Sequence, residues 1–424
     1  MKILGACAVS LVLAVAGLTA CDDGTGADIT LPTSAPGVPG VQCSAVFGRG
    51  ERTIVFDAHA RDGMYRAWFD AARQVFAEHG YRAGGYPVQL QLCDTTQASV
   101  RSVDDCPASA RSYVATASVI AVIGPVDSGC ATSEIPITNR AGLAMLSPEN
   151  TYVGLTRGGV GASPGEPDIY YPTGKRTYAR LVGDNGAQGA ADALYLQQKG
   201  LNRVYLLQDG TPYGRGIAAS FTRAARKLGL TIVGTGSWTD DTSRFPAVMK
   251  RVSAARPDVM FLAGRGRADL IKAKVRYVGP NTVVKLVAPD GFASASLFQG
   301  KGSTGPDGNG TVISVAGLPP EQLPVTGQRF ITEFMGANSL KYVDPHVPYV
   351  AAAAQIILES IARSDGTRAG VVDQLFKAHL QTTVGEVSFD LNGDPKQAPT
   401  TMFRVVDGVL QSMNAVTPPS WLVN

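Results

Sequence analysis

The segment Val119–Leu155 decides the fold class and reads VIAVIGPVDSGCATSEIPITNRAGLAMLSPENTYVGL. The run Val119–Ile123 is entirely apolar and ends at a Gly-Pro pair, which is typical of a strand buried on both faces of a parallel sheet. The next residues can form a short helix that ends near Gly142. Because Leu143–Leu146 then predicts a second strand, the segment indicates a βαβ unit.

Polar loops follow both strands, at Pro125–Gly129 and at Ser147–Thr151. Neighbouring parallel strands lie about 4.8 Å apart, so the two loops should emerge side by side at the carboxyl edge, where open α/β sheets bind ligands. Ser128 and Thr151 offer hydroxyls, and the helix starts offer backbone N–H groups. Together these donors suit a small anion such as a carboxylate. Helix capping is the alternative role for the hydroxyls.

Strands and helices continue to alternate on both sides of this unit, which predicts an α/β protein with two doubly wound parallel sheets. The segment Gly158–Gly174 is rich in Gly and Pro and predicts an inserted surface loop. Further strands are predicted at Thr53–Ala60, Pro87–Asp94, Val204–Asp209, Thr231–Gly234, Asp258–Gly264, Val283–Pro289 and Val312–Ala316. Later helices are predicted at Pro324–Ala337, Pro348–Arg363 and Ala369–Leu380, and hairpins at Gly385–Asp394 and Met402–Met413.

The N-terminus predicts export. Residues Met1–Ala20 have a positive start and an apolar run, Ile3–Ala16, that is too short for a membrane span of about 20 residues, so they read as a signal peptide. The sequence Leu-Thr-Ala-Cys ending at Cys21 resembles a bacterial lipobox, which predicts acylation of Cys21 and a lipid anchor outside the cytoplasmic membrane. An ordinary signal with an incidental Cys is the alternative. Residues 21–48 lack apolar periodicity and predict a flexible tether.

Length, charge and cysteine content restrict the function further. The chain has 424 residues, enough for two domains, and its net charge of +3 without a basic cluster argues against nucleic-acid binding. An even number of cysteines beyond the signal and Cys21 predicts disulfides, with three pairings open. A zinc site is the weaker alternative because no Cys-x-x-Cys occurs. These cysteines are Cys43, Cys93, Cys106 and Cys130.

The run VIAVIGPVDSG, followed by AGLAMLSPENTYVGLTR, resembles the first lobe of type I periplasmic binding proteins of the Leu/Ile/Val-binding family, the receptors of ABC importers. Similar stretches are DNGAQG at Asp184–Gly189, QDGTPYG at Gln208–Gly214 and SFDLNGD at Ser388–Asp394. The resemblance runs from about Thr53 to Met413. It implies two lobes that close on a ligand, joined by a three-strand hinge with crossovers near residues 179, 315 and 395.

The resemblance also implies domain boundaries and disulfides. Lobe 1 comprises residues 49–179 and 316–395, and lobe 2 comprises residues 180–315 and 396–424. The family often links the region of Cys106 to the loop after the central strand, which implies Cys106–Cys130 and leaves Cys43–Cys93.

By the same resemblance, Ser128 and the Ser147–Thr151 loop grip the α-carboxylate of an amino acid, while Tyr213 contributes an aromatic wall from lobe 2. Asp290 then meets the ligand's ammonium group, because a buried charge needs such a partner. Other roles stay open: Asp290-Gly291 is a good turn, Tyr213 could merely pack, and Asn185 and Gln188 could cap their helix. The predicted ligand-binding set is Met64, Ser128, Glu149, Asn150, Thr151, Asn185, Tyr213, Arg265 and Asp290.

Three of these residues depart from the family pattern. Glu149 stands where the family usually has a small residue, Arg265 stands where an aromatic or small residue is expected, and Met64 stands where an aromatic side chain often covers the ligand. The predicted ligand is therefore a small zwitterion, either a branched-chain or other amino acid or an amide- or urea-like solute. Glu149 either points to solvent or supplies a second negative group for an amide, urea or cationic ligand.

An enzyme is not predicted, because the Zn-protease, serine-hydrolase and P-loop motifs are absent. No cofactor or metal is expected. A triad of His59, Ser128 and Asp290 is the weaker hydrolase alternative, and a sensor that signals to a partner protein is another. The sequence thus predicts a monomeric, lipid-anchored, extracytoplasmic receptor that delivers its solute to an ABC permease.

Overall fold

The computed structural model describes residues 42–57, 64–94 and 106–423. Two seven-stranded sheets form the centres of two lobes. The first sheet contains β1 (Gln42–Phe47), β2 (Arg52–Asp57), β3 (Arg82–Ala83), β4 (Tyr86–Asp94), β5 (Val119–Ile123), β6 (Ala144–Ser147) and β7 (Tyr178–Arg180). The second contains β8 (Arg203–Gln208), β9 (Thr231–Ser237), β10 (Val259–Ala263), β11 (Lys285–Ala288) and β12 (Val312–Ala316). It is completed, after a small hairpin of β13 (His379–Thr382) and β14 (Gly385–Ser388), by β15 (Thr400–Val406) and β16 (Val409–Val416).

Helices cover both sheets, and they are numbered along the chain. They are α1 (Met64–Glu78), α2 (Cys106–Ala115), α3 (Ser128–Arg140), α4 (Asn185–Gln198), α5 (Pro212–Lys227), α6 (Phe245–Ala255), α7 (Ala268–Tyr277), α8 (Ala295–Phe298), α9 (Val325–Ala337), α10 (Val347–Arg363), α11 (Arg368–Leu375) and α12 (Ser420–Val423). Within the described ranges, no helix has both the length and the apolar character needed to cross a bilayer.

The central strands of both sheets are parallel, as the apolar runs predict. The first sheet has the order β1-β4-β2-β5-β6-β7 with β3 beside β4, and the second has the order β16-β15-β12-β11-β10-β8-β9. All five residues of Val119–Ile123 are buried, because helices cover both faces. The sheets carry antiparallel strands at their edges: β1 and β3 run antiparallel to β4, and β15 runs antiparallel to β12 and β16.

The end of the predicted tether is folded. The sequence predicts a tether over residues 21–48, but Gln42–Phe47 form β1 along the edge of β4. A disulfide between Cys43 and Cys93 holds the two strands together. A second disulfide joins Cys106 to Cys130 and links α2 to α3. These are the pairs that the family resemblance implies.

Two further expectations differ from the structure. The predicted helix at Ala369–Leu380 ends at Leu375, because His379–Thr382 instead form β13 and pair with β14. The predicted surface loop at Gly158–Gly174 is anchored in the interior: Tyr170 and Tyr171 are buried there, and Glu166 accepts hydrogen bonds from two tyrosine hydroxyls.

A buried arginine marks the first crossing between the lobes. Arg180, at the end of β7, has no exposed surface, and its Nε donates to Asp394 Oδ1 at 2.7 Å. Burial opposes ionisation of Asp394, but Arg180 and Arg157 hold its pKa below the usual range. Asp394 lies in the turn before the chain returns to lobe 2. The ion pair therefore connects two of the segments that pass between the lobes.

Replacing Gly393 by Ala should destabilise the protein by about 2 kcal/mol, because a left-handed backbone is costly for Ala. Gly393 has φ +90°, and an added Cβ would lie 2.3 Å from the carbonyl oxygen of Tyr178. Gly336 in α9 is the control, because an added Cβ meets nothing within 4 Å there. Gly336→Ala should be neutral or slightly stabilising. Chemical unfolding of both variants measures the difference, and equal stability would contradict the assigned strain.

Candidate functional site

The two loops after β5 and β6 are joined through one hydroxyl. Ser147 Oγ donates to the carbonyl oxygen of Pro125 at 2.8 Å and accepts from the backbone N–H of Asn150 at 3.0 Å. The strands themselves pair in parallel, so both loops leave the same edge of the first sheet. The adjacency predicted from the βαβ unit is therefore present, and Ser147 shapes the loop from within.

The predicted binding residues Ser128 and Asn185 are not the N-caps of their helices. The N-cap of α3 is Asp127, which accepts from the N–H of Cys130 at 3.0 Å, and Ser128 follows as the buried first residue of the helix. The N-cap of α4 is Asp184, so Asn185 is free for another role. Its Nδ2 donates to Thr151 Oγ1 at 3.0 Å, which joins the lobe 1 loop to the first turn of a lobe 2 helix.

The acid predicted for lobe 2 lies at the carboxyl end of β11. Asp290 Oδ1 accepts a hydrogen bond from the hydroxyl group of Tyr213, and the N–H of Gly291 donates to the same tyrosine oxygen at 3.0 Å. Asp290 Oδ2 is buried and has no hydrogen-bond partner among the described residues. Burial raises the pKa of Asp290, and the hydrogen bond from Tyr213 and the charge of His346 partly oppose this shift.

A second carboxyl group faces the same space from lobe 1. Glu149 Oε2 lies 3.6 Å from His346 Nε2, and His346 Nδ1 lies 3.0 Å from Asp344 Oδ1. Burial raises the pKa of Glu149 to about 8, with His346 opposing and Asp290 adding to the increase. Burial alone would lower the pKa of His346, but Asp344 and Glu149 raise it to about 9. Glu149 and Asp290 therefore lie close enough to repel each other across the cleft.

Arg265 closes the rim of the cleft. Its Nη1 lies 3.3 Å from Asp127 Oδ2 on lobe 1, and its Nε lies 3.9 Å from Asp209 Oδ2 on lobe 2. Asp209 also accepts from the Arg265 N–H at 2.8 Å, which fixes the loop after β10. Helix α3 packs against α5 in the same region. Arg265 thus bridges the two lobes, and this contact explains an arginine where the family resemblance suggests an aromatic side chain.

The backbone of the second loop rests on Arg180. Its Nη1 donates to the carbonyl oxygens of Asn150 and Tyr152, at 3.2 and 2.8 Å. The Asn150 side chain is itself buried. These contacts direct the loop's backbone carbonyls away from the cleft and leave Glu149 and Thr151 on its surface.

Some predicted residues lie outside what the structure describes. Cys21 and His59 fall in undescribed segments, and for Met64 only the backbone at the start of α1 is described. Sequence reasoning missed two residues at the site. His346 and Trp68 have ring centroids 5.2 Å apart, and both are buried. No local pattern marks Trp68 as a site residue, and nothing local in the sequence connects His346 to Glu149, which is far away along the chain.

The open grooves lie elsewhere. One of about 860 Å³ runs along the outer face of lobe 2, between α5 and the strands β8 and β9. It is lined by several cationic side chains of α5 together with Val160 of the inserted segment. This groove contains none of the paired acids described above, so the chemistry of the interlobe cleft marks the candidate site more clearly than cavity size does.

Comparison with known proteins agrees with this architecture. A family model described as "Periplasmic binding protein" matches residues 62–409. The chain belongs to the periplasmic binding protein family. Its members are solute-binding proteins rather than enzymes, and the family implies a location outside the cytoplasm. The chain is therefore a solute-binding protein, and the hydrolase alternative built on His59, Ser128 and Asp290 is not supported.

Relatives within the family are distant. "Leu/Ile/Val-binding protein homolog 2" of Brucella abortus is 23% identical over 284 residues, 66% of this chain and 71% of that protein. A solved leucine-binding protein LivK of Thermotoga maritima superposes with a TM-score of 0.72 at 18% identity, over 87% of this chain and 99% of that one. A solute-binding protein of R. palustris in complex with benzoate superposes with a TM-score of 0.71 at 15% identity, over 87% of this chain and 97% of that one. At these identities the solved structures show the fold alone.

Glu149→Gln should become more stable than the wild type as pH rises. The pKa of Glu149 increases from 4.5 to about 8 on folding. The contribution of Glu149 to the unfolding free energy is therefore fully present below pH 4.5. It is lost as pH rises towards 8, at up to about 1.4 kcal/mol per pH unit. Gln cannot ionise and avoids this loss. Unfolding free energies of both proteins between pH 5.5 and 9 measure the difference. Titrating groups far from Glu149 largely cancel, whereas His346, whose pKa Glu149 helps to raise, changes the difference in the same direction.

The surface substitution Glu333→Gln is the control for this pH series, because the side chain of Glu333 is 55% exposed on α9. Its difference from the wild type should not change with pH. A Glu149→Gln difference that is equally flat would show that Glu149 ionises as easily in the folded protein as in the unfolded chain.

Asp127→Asn should favour the open arrangement without loosening α3. Asn still caps the helix but loses the charge opposite Arg265, a pair that is partly exposed and worth about 0.2–1 kcal/mol. Asp127→Ala should in addition lose about 1 kcal/mol of unfolding free energy. X-ray scattering measures the opening as a larger radius of gyration. Arg265→Gln should increase the radius of gyration by the same amount, and the double variant with both substitutions should show no further increase. Additive increases would contradict a direct pair between Asp127 and Arg265.

Proposed function

We propose that this chain is the extracytoplasmic receptor of an ABC importer, anchored through an acylated Cys21, and that it binds a small solute with an ammonium group between its lobes. The observation that carries the proposal is Asp290 Oδ2, a buried carboxylate oxygen without a hydrogen-bond partner among the described residues. A buried acceptor of this kind costs free energy unless a donor reaches it. An α-ammonium group supplies both the donor and the compensating charge.

Lobe 1 suits the opposite end of such a solute. Ser128 lies in the first turn of α3, where backbone N–H groups and the helix dipole favour an anion. The Thr151 hydroxyl accepts from Asn185 and keeps its own proton to donate. A carboxylate or amide oxygen placed between Ser128 and Thr151 would leave the ammonium group to Asp290. The ligand dipole would then span the cleft from lobe 1 to lobe 2.

The same arrangement argues against a simple aromatic acid. The R. palustris protein named above was solved with benzoate, and benzoate has no cationic group. In this chain the benzoate carboxylate could bind between Ser128 and Thr151, but benzoate has no donor or positive charge for the buried Asp290 Oδ2. An amino acid or an amide-like solute fits the pair of acids better.

Solute binding favours the closed arrangement because only that arrangement allows both lobes to contact the solute. The pair of Arg265 and Asp127 at the rim forms only when the lobes approach each other. The closed form then docks on the permease, which opens it and accepts the solute. No covalent bond is made or broken. A sensor function would use the same closure, and a docking partner other than a permease would distinguish it.

Thermal unfolding with a panel of amino acids, amides and urea tests the proposal, because a ligand that binds only the folded state raises the melting midpoint. At a concentration 100 times the Kd, stabilisation should reach about 2.7 kcal/mol. Asp290→Asn should reduce affinity for ammonium-bearing solutes by about 100-fold or more, because it removes the charge that balances the ammonium group. Tyr213→Phe, which keeps the carboxylate, should cost less. If no member of the panel raises the melting midpoint, the proposal is overturned.

A further inference from the structure

The charged side chains around the cleft do not balance. Among the described residues, five carboxyl groups face this space or its rim, while two cationic side chains do so. The carboxyl groups belong to Asp127, Glu149, Asp209, Asp290 and Asp344, and the cations are Arg265 and His346. The whole chain carries a net charge of +3, so the excess of acid is local to the cleft.

Both cations are already engaged. Arg265 lies between Asp127 and Asp209. His346 lies between Asp344, at 3.0 Å, and Glu149, at 3.6 Å. The contact with Asp344 is the closer one and includes a backbone N–H to the same carboxylate. One imidazolium therefore serves two acids on lobe 1, and neither cation forms an ion pair with Asp290 on lobe 2.

Charged side chains farther from the cleft do not balance its excess of carboxyl groups. Arg180 and Arg157 lie behind the Ser147–Thr151 loop, but both are committed to Asp394 and its neighbours. The Tyr213 hydroxyl, the Gln188 side chain and the N–H of Ala316 beside Asp290 are neutral, and the buried Asp192 is a further acid that interacts with Asp290. The ammonium group of a zwitterion can pair with Asp290, but such a solute supplies no second cation that would allow Glu149 to ionise.

We propose that the cleft selects amino acids whose side chain carries a second positive charge, with Asp290 receiving the α-ammonium from lobe 2 and Glu149 receiving the side-chain cation from lobe 1. This inference rests on the proposed function. It assigns a role to Glu149, which replaces a small residue at the corresponding place of the family pattern. The partly exposed side chain of Glu149, at 23%, can still rotate towards a ligand.

A proton should leave the protein when such a solute binds. Glu149 is held largely protonated near neutral pH by burial and by the surrounding acids, namely Asp290, Asp344 and Asp127, against the opposing charge of His346. A cation beside Glu149 favours its ionised form. Binding of a basic amino acid therefore releases a proton from Glu149, whereas binding of a neutral one leaves this carboxyl group protonated.

Calorimetric titration of the full chain with two matched pairs of amino acids tests this assignment. Lysine is compared with norleucine, and arginine with citrulline, so that each pair differs mainly in one charge. We expect the cationic member of each pair to bind about tenfold tighter or more. Repeating the titrations at pH 7 in two buffers of different ionisation enthalpy should show about one proton more released with lysine than with norleucine.

Glu149→Gln should lower the affinity for lysine about tenfold or more, change that for norleucine by less than about threefold, and abolish the difference in proton release. Glu149→Asp, which keeps the charge, should retain the preference for lysine. Asp373→Asn removes one negative charge from the exposed face of α11 and should change neither affinity.

Two contrary results are distinct. If norleucine and citrulline bind as tightly as lysine and arginine, with no difference in proton release, the charge selection is overturned while the proposed function stands. If none of the four amino acids binds, and no member of the wider panel raises the melting midpoint, the proposed function itself fails.

Discussion

The buried ion pair between Arg180 and Asp394 is the interaction on which both the hinge and the binding loop depend. It joins the end of β7 to the turn before the chain returns to lobe 2. The same guanidinium holds the carbonyl oxygens of Asn150 and Tyr152. Removing one partner of such a pair typically costs about 3–5 kcal/mol, because the other charge is left buried. The geometry of the hinge and the position of the loop that presents Glu149 and Thr151 therefore have one common cause.

Local sequence was sufficient for the parts of the site that lie next to strands. The run Val119–Ile123 and the loops that follow it predict the βαβ unit, and the structure pairs β5 with β6 and joins their loops through Ser147. Asp290 follows β11 in the same way, so a turn at a strand end was visible as a candidate. These features depend on residues close in sequence, and the period of apolar residues determines them.

The remaining features depend on contacts that no local pattern encodes. His346 reaches Glu149 only because α10 packs in lobe 1 beside the first sheet, and Arg265 meets Asp127 only when the lobes approach each other. The tether prediction is wrong at β1 because pairing with β4 and a disulfide to Cys93 stabilise a short edge strand there. The helix predicted to reach Leu380 ends early because pairing with β14 competes with helix propensity, and tertiary contacts prevailed.

The inserted segment has a consequence for the solute-free molecule. Its base is fixed to lobe 1, where Glu166 accepts from the hydroxyls of Tyr152 and Tyr170. Its tip reaches across to lobe 2: a Cβ on Gly161 would lie 2.9 Å from the carbonyl oxygen of Gly216 in α5. Separation of the lobes must therefore pull this tip off α5 and wet the surface beneath it. The inserted segment therefore belongs to the surface that has to be hydrated when the two lobes separate.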